Sequence, residues 1–410
     1  MIITHRIALD PNARQEALLR RHAGYARFAW NWGVEESRRA LKAREKSPTS
    51  HYRLRPAFNA AKAKIAPWSR ALSQNAAKYA LIDLHLTWDR FWRELEAAGK
   101  AGRRPGRHGR APRFRSRKRG MSFRADNGPG TVQTEGHRIH LPKIGAVRMR
   151  EACRFGGPVR ECTVKHDGVR WHAAVVCEVP DPRPKQTGAV VGVDVGQRRL
   201  ATVYDGETIS VFENPEALKR ALAKLRRIRR GVARSLEQHG RTRKSNRRER
   251  RYAELYRQHV RVANLRLDAA HKATTAIAKR SRLVCVESLH VPGWMQNRRL
   301  SRSIADAPPS RFLSLLEWKC RREGTALLEG GRVHPSTRTC SACGAVQTEL
   351  QIERRRRCLV CGALHDRADR TALSLYRQGL AADVEGVSDG RRVAAPDEAS
   401  TRRIVPDVSG

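Results

Sequence analysis

Nine cysteines occur in this 410-residue chain, and four of them form two Cys-x-x-Cys pairs, Cys340/Cys343 and Cys358/Cys361. Each pair reads as a knuckle turn, with Gly344 and Gly362 directly after it. Two such pairs at this separation supply the four thiolates that a tetrahedral Zn²⁺ takes, in the manner of a zinc ribbon. With every position filled by sulfur no site is left for water, so the metal would be structural. The competing reading is two unrelated redox motifs. Cys153, Cys162, Cys177, Cys285 and Cys320 are scattered, several within apolar strand-like runs. That distribution argues against a disulfide framework and for a reducing compartment.

The second chemistry-bearing set is acidic. Asp194 stands near the end of the apolar run Ala189-Val-Val-Gly-Val-Asp-Val195, and Glu287 closes Leu283-Val-Cys-Val-Glu287. A lone carboxylate in such a strand is costly to bury and calls for a cation or a hydrogen-bond network. Asp369 opens a helix-like stretch after the cysteines, with Asp366 as its competitor. Three acidic groups brought together by a fold suit two Mg²⁺ or Mn²⁺ ions, because hard oxygen ligands favour those metals over zinc. Such a pair serves phosphodiester hydrolysis: one ion lowers the pKa of the attacking water and the other stabilises the leaving oxygen. The plainer reading makes each aspartate a turn or cap residue and Glu287 a solvated strand end. Asp268, His271 and Lys272 are read as packing or RNA contacts, since a two-metal site needs no separate general base.

These residues must be held by regular elements. From Pro11 to Gly99 the apolar spacing is helical, with Ala26, Phe28, Ala29, Trp32 and Leu41, then Ala80, Leu81, Leu84, Trp88, Phe91 and Trp92, predicted to pack a core. Residues 100–120 are rich in Arg, Gly and Pro and suit a phosphate backbone, with Phe114 and Phe123 available to stack on bases. Residues 121–180 alternate as short strands, with a hairpin turn at Asp167-Gly168, and predict a small barrel completed by the chain's first residues. After a break at Asp181-Pro-Arg-Pro-Lys185 come the Asp194 strand and antiparallel partners turned at Asp205-Gly206. Two basic helices follow. The second, from about Arg247 to Arg280, has Tyr252, Tyr256, Ala263, Leu267, Ala270, Thr274 and Ile277 on one face. Then come the Glu287 strand, a helix over Pro308–Arg322, a strand over Thr325–Glu329, the cysteines, and a helix from about Asp366 to Gly379. The tail from Ala382 is polar and aperiodic.

Lysine and arginine number 83 against 40 acidic residues, a formal net charge of +43. Such an excess repels itself unless a polyanion neutralises it, and nucleic acid is the obvious partner. A ribosomal-type RNA binder would share the charge. The chain is 40% hydrophobic, enough for real cores. It contains no apolar run of about 18 residues, so no membrane-spanning helix and no membrane partner is expected. The N-terminus lacks a signal peptide's apolar stretch, which points to the cytoplasm, at the nucleoid.

The order of strand-Asp, hairpin, basic helices, strand-Glu, cysteine tetrad and helix-Asp resembles the TnpB family, OrfB-type transposon-encoded relatives of the type V CRISPR effectors. The matching stretches are Tyr25–Glu35, Pro112–Lys118, Leu141–Gly145, Gly192–Gly196, Ser245–Arg248, Asn264–Lys272, Val286–Leu289 and Ser336–Gly344. The resemblance implies an α+β multidomain fold: a helical domain and small β-barrel, then an RNase H-like (RuvC-like) α/β nuclease domain with an inserted zinc ribbon. The corresponding divisions are 1–120, 121–182, 188–334 with 364–381, 335–363, and a disordered tail over 382–410.

It implies further an RNA-guided DNA endonuclease that uses an element-derived guide RNA, reads a motif beside double-stranded target DNA, and works as a monomer. In such enzymes base pairing supplies most of the specificity. Asp194, Glu287 and Asp369 match the family's Mg²⁺-binding catalytic carboxylates. Arg338 matches a basic position near the scissile phosphate, and Arg113, Phe114, Arg115, Arg117 and Lys118 fall in the nucleic-acid-binding stretch. One departure stands out: the family's Asp-x-Asn-Ala-Ala is here Asp369-Arg-Thr-Ala-Leu373, with Thr371 for the amide and Leu373 for an alanine. That departure leaves open an RNA-guided DNA-binding regulator that does not cut. A DNA-joining transposase of the same fold that uses no RNA is the other alternative.

Overall fold

The computed structural model describes residues 1–101, 110–117, 121–126, 128, 131–196, 198–240, 245–287, 308–330, 343, 345 and 355–384. The chain divides into two compact units, Met1–Pro180 and Asp181–Gly410.

The first unit opens with strand β1 (Ile2–Asp10), whose alternate residues Ile3, His5, Ile7 and Leu9 are buried. Helix α1 (Ala13–Lys42) starts at a capping box. The Asn12 side chain accepts from Gln15 N, and the Gln15 side chain accepts from Asn12 N. Helices α2 (His51–Ile65) and α3 (Asn75–Lys100) follow, joined by a short 3₁₀ turn at Pro67–Ala71. Gly33 lets α1 and α3 meet closely: a Cβ there would lie 2.7 and 2.8 Å from the Cδ2 atoms of Leu84 and Leu81.

Strands β2 (Met121–Asp126), β3 (Gln133–Glu135), β4 (Arg138–Leu141), β5 (Gly145–Met149), β6 (Val159–His166) and β7 (Trp171–Glu178) complete a seven-stranded sheet. Its order is β2-β6-β7-β1-β5-β4-β3, with every described pairing antiparallel. The chain's first strand therefore sits inside the sheet, and β6 turns into β7 at Asp167-Gly168. One hydrophobic cluster unites the helices (Leu19, Trp30, Leu54, Leu84, Trp88) with the sheet (Ile7, Ile139, Met149, Val175).

One aromatic expectation needs correction. Phe123 is 5% exposed and belongs to that cluster, its ring 5.2 Å from His22, so it cannot stack on a base. Residues 110–117, part of the stretch read as suiting a phosphate backbone, are docked on α1. Trp30 Nε1 donates to Arg113 O at 3.0 Å, and Asn31 pairs with the Arg115 backbone, donating to its O at 3.1 Å and accepting from its N at 2.7 Å. The Arg115 guanidinium lies 3.4 Å from the Trp30 ring centroid.

The second unit is built on a five-stranded sheet of β8 (Ala189–Asp194), β9 (Arg199–Tyr204), β10 (Ile209–Glu213), β11 (Ser281–Glu287) and β12 (Ala326–Gly330). The order is β10-β9-β8-β11-β12. The hairpin strands β8, β9 and β10 are antiparallel, and β11 and β12 add parallel to β8. This is the mixed sheet of an RNase H-like fold. The helices are α4 (Ala217–His239), α5 (Asn246–Arg280), α6 (Pro309–Glu323) and α7 (Arg367–Val384).

Val191, Val193, Val284 and Val286 pack with Ala270, Ala273 and Ile277 of α5 and with Phe312 and Leu316 of α6. Ala270, Thr274 and Ile277 are buried as expected, whereas Tyr252 and Tyr256 are exposed, because only the C-terminal part of α5 reaches the sheet core. Lys185, from the expected linker, donates from Nζ to the carbonyls of Ala278 and Lys279 at 2.8 and 2.9 Å, closing the end of α5. Helix α7 runs to Val384, past the expected start of the tail; residues 385–410 lie outside those described. No described helix is long and apolar enough to cross a membrane.

Candidate active site

Side-chain alternation along β8 and β11 builds the acidic site. On β8, Val191 and Val193 face α5 and α6, so Val190, Gly192 and Asp194 face the other way. On β11, Val284 and Val286 share the first face, and Leu283, Cys285 and Glu287 the second. The parallel register pairs Cys285 with Gly192 and Val286 with Val193. The next step sets Glu287 beside Asp194 at the carboxyl ends of neighbouring strands, about 4.8 Å apart in the sheet. Both residues are half-buried. Cys285, one pleat below Glu287, is buried, and burial pushes its thiol up to about 12.

Helix α7 covers this second face. Gly379 lies over Val190, its ideal Cβ position 2.9 Å from Val190 Cγ1. A Cβ on Gly192 would stand 1.9 Å from Ala372 O and 2.3 Å from Tyr376 N, so only glycine admits the helix here. Higher numbers on the strand thus meet lower numbers on the helix. Two strand residues rise about 6.6 Å and four to five helix residues about the same. One further step carries the first turn of α7, with Asp369, toward Asp194.

Asp369 is ion-paired with Arg199 at the start of β9, Nη1 to Oδ1 at 2.9 Å. Asp366, its competitor in the sequence, accepts from Ala368 N at 3.1 Å and so caps the helix. Thr371 is 2% exposed. The oxygens of Asp194, Glu287 and Asp369 do not all fall within 4.8 Å of one another. Among the described residues the group of three or more metal-ligand side chains that meets this distance is Cys343, Cys358 and Cys361. Sequence reasoning missed Arg199, whose approach to Asp369 depends on the β8–β9 hairpin and carries no local signal.

In the cysteine segment β13 (Arg355–Arg357) pairs antiparallel with β14 (Leu364–Asp366). Between them Cys358 N donates to Ala363 O and Gly362 N to Cys358 O, with Gly362 at φ +73°. This tight turn brings Cys358 and Cys361 together, and Cys343 Sγ lies 3.7 Å from Cys358 Sγ. Three converging thiols offer a soft donor set that could hold a metal ion. Cys340 and Arg338 lie outside the described residues, as does Lys118. Of the expected nucleic-acid contacts, Arg113, Phe114, Arg115 and Arg117 are exposed on the docked strap, with the Arg38 guanidinium 5.2 Å from the Phe114 ring centroid. Asp268 and Lys272 form an exposed pair at 2.7 Å, and the His271 backbone carbonyl accepts from Lys319 Nζ.

Residues 174–298 match the OrfB_IS605 family, described as "Probable transposase". Residues 1–46 match a family described as "Helix-turn-helix domain", although they form one strand and one long helix here. Residues 310–372 match "Cas12f1-like, TNB domain". A Mycobacterium tuberculosis protein named "Putative RNA-guided DNA endonuclease" is 31% identical over 91% of this chain and 85% of its own length. Escherichia coli (strain K12) "Putative RNA-guided DNA endonuclease InsQ" is 27% identical, covering 86% of each chain. Among solved structures, "Structure of the mini-RNA-guided endonuclease CRISPR-Cas_phi3" aligns over 93% of this chain and 92% of that one, with 10% identity and a TM-score of 0.44, too loose a match to argue from.

Proposed function

The chain belongs to the TnpB family, the OrfB-type proteins encoded by transposons, and on that premise we propose that it is an RNA-guided DNA endonuclease. The observation that carries this reading is the parallel register of Cys285 with Gly192 and Val286 with Val193, which leads Glu287 and Asp194 to the ends of neighbouring strands on the face that α7 covers, with Asp369 in that helix's first turn.

Asp194, Glu287 and Asp369 supply hard oxygen donors suited to Mg²⁺ or Mn²⁺. Bound there, such ions would supply the positive charge that activates water and stabilises a leaving oxygen. The chain's own contribution is positional. The sheet fixes two carboxylates, Gly192 admits the helix that brings the third, and Arg199 holds Asp369 until a cation or phosphate competes for it. Cys343, Cys358 and Cys361, with Cys340 as fourth ligand, fit a structural Zn²⁺ in a ribbon over 335–363. The docked strap and the exposed arginines of α4, such as Arg226, Arg227, Arg230 and Arg234, suit a charged channel for a guide RNA and target DNA.

In this reading residues 1–182 comprise a helical region and a barrel-like sheet that hold the guide and the target-adjacent motif, and 188–334 with 364–381 form the nuclease. The protein acts at the nucleoid as a monomer. A second reading, a guided DNA-binding regulator that does not cut, is favoured by one observation: Asp369 is already neutralised by Arg199, beside the buried Thr371. Purification with the element's transcript tests the shared premise. A defined RNA from the element end should copurify in stoichiometric amount; RNA-free protein that cuts transposon ends would instead identify an RNA-independent transposase.

A further inference from the structure

An open cleft of about 300 Å³ lies on the first unit, lined by Arg21, Gly24, Arg27, Phe28 and Trp68. Neither the docked strap nor the carboxylates contribute to it. Arg21, Gly24 and Phe28 recur at helical spacing along one face of α1, with Arg27 at its side. Trp68 rises from the 3₁₀ turn opposite.

Three features suit this cleft to a flat, anionic ligand. First, the aromatic wall is pre-set. Trp68 is held edge-on between Tyr25 and Phe28, with ring centroids 5.6 and 5.7 Å away, yet remains 44% exposed. An indole so fixed loses little freedom when a ring stacks on it. Second, the cations are unspent. Elsewhere on α1, Arg20 is bound to Glu16 and Arg39 to Glu36 and Glu45, whereas among the described residues no carboxylate pairs with Arg21 or Arg27. Third, the floor is a glycine that the fold does not require. A Cβ on Gly24 would meet nothing within 4 Å, although glycine inside a helix is less favourable than alanine. Gly33 on the same helix, by contrast, is demanded by Leu81 and Leu84.

We propose that this cleft binds a single unstacked nucleotide, its base lying on Trp68 over Gly24 and its phosphate met by Arg21 and Arg27. The inference rests on the reading of the chain as a nucleic-acid binder and adds a specific subsite to it. The ligand is a nucleotide of an unpaired strand, from either the guide RNA or opened DNA.

Gly24→Leu is the sharpest test, because the new side chain enters open space, removes a helix-interior glycine and fills the cleft. The full chain would be titrated by fluorescence polarisation with twelve-residue oligouridine, twelve-residue oligothymidine and a DNA duplex. Gly24→Leu and Trp68→Ala are expected to weaken single-strand binding about tenfold, the worth of one base–aromatic stack, while leaving duplex binding unchanged and, for Gly24→Leu, raising the melting temperature. Arg21→Gln should flatten the dependence of log affinity on log salt by about one unit. Loss with oligouridine alone identifies the ligand as RNA, and equal loss with both identifies any unpaired strand. Wild-type affinity for both single strands in a folded Gly24→Leu protein overturns the cleft proposal and leaves the parent reading intact; a wild-type protein that binds none of the probes overturns both.

Discussion

Gly192 and Asp194 are two residues apart, and the first sets the surroundings of the second. A methyl group at position 192 would lie inside the α7 backbone, so the helix would have to move off the sheet. Gly192→Ala is therefore expected to destabilise the second unit by about 1–3 kcal/mol through overpacking, read as a lower urea midpoint, and to displace Asp369 from its place. Retention of the wild-type midpoint would show that α7 does not pack as described. At the cysteines, Cys361→Ser removes one of three converging thiols. Purified wild-type protein should carry about one Zn²⁺ per chain, and the variant should lose it to a mild chelator. Stoichiometric zinc surviving in Cys361→Ser would exclude the thiolate site.

Elements were more legible in the sequence than the contacts between them. Periodicity alone places α1, α3, α5 and the strands bearing Asp194 and Glu287, because each buries one face against a core and must show the matching repeat. It misplaced Phe123, whose basic neighbours suggested a nucleic-acid contact while its strand turns it inward. It treated Tyr252 and Tyr256 as part of the face that Ala270 and Ile277 bury, since a long helix leaves the sheet before its pattern ends. The strap's anchors on Trp30 and Asn31 join residues more than 80 positions apart and could not be read locally.

The sheet of the first unit also carries a pH dependence. Burial, aided by Arg6 and opposed by Asp167, holds His172 on β7 down to about 4. His22, buried against the same core, is lowered for the same reason. Between pH 6.5 and 4 the unfolded chain binds protons that the folded chain refuses, so stability falls as the pH falls through this window. The slope from one such histidine is at most about 1.4 kcal/mol per pH unit. Urea midpoints at pH 7 and pH 5 should differ in that direction, and His172→Asn should reduce the difference. An unchanged midpoint at pH 5 would mean that these histidines are not desolvated.

At the scale of the whole molecule, a net charge of +43 and the proposed carboxylate site are complementary. The first attracts a polyanion and the second is of use only once cations reconcile it with a phosphate. The sequence showed the charge, suggested the three carboxylates and marked Thr371 and Leu373 as departures from the family. It could not show that Arg199 neutralises Asp369, which makes the catalytic competence of this chain the decisive question. The most direct measurement is plasmid cleavage by the protein loaded with its element's RNA in Mg²⁺, comparing wild type with Asp194→Ala and Glu287→Ala. Wild type should linearise target plasmid, and each variant should bind the target normally but cut it at least about a hundredfold more slowly, as expected when the charge stabilisation of a metal site is lost. Cleavage at the wild-type rate by Asp194→Ala would contradict the account.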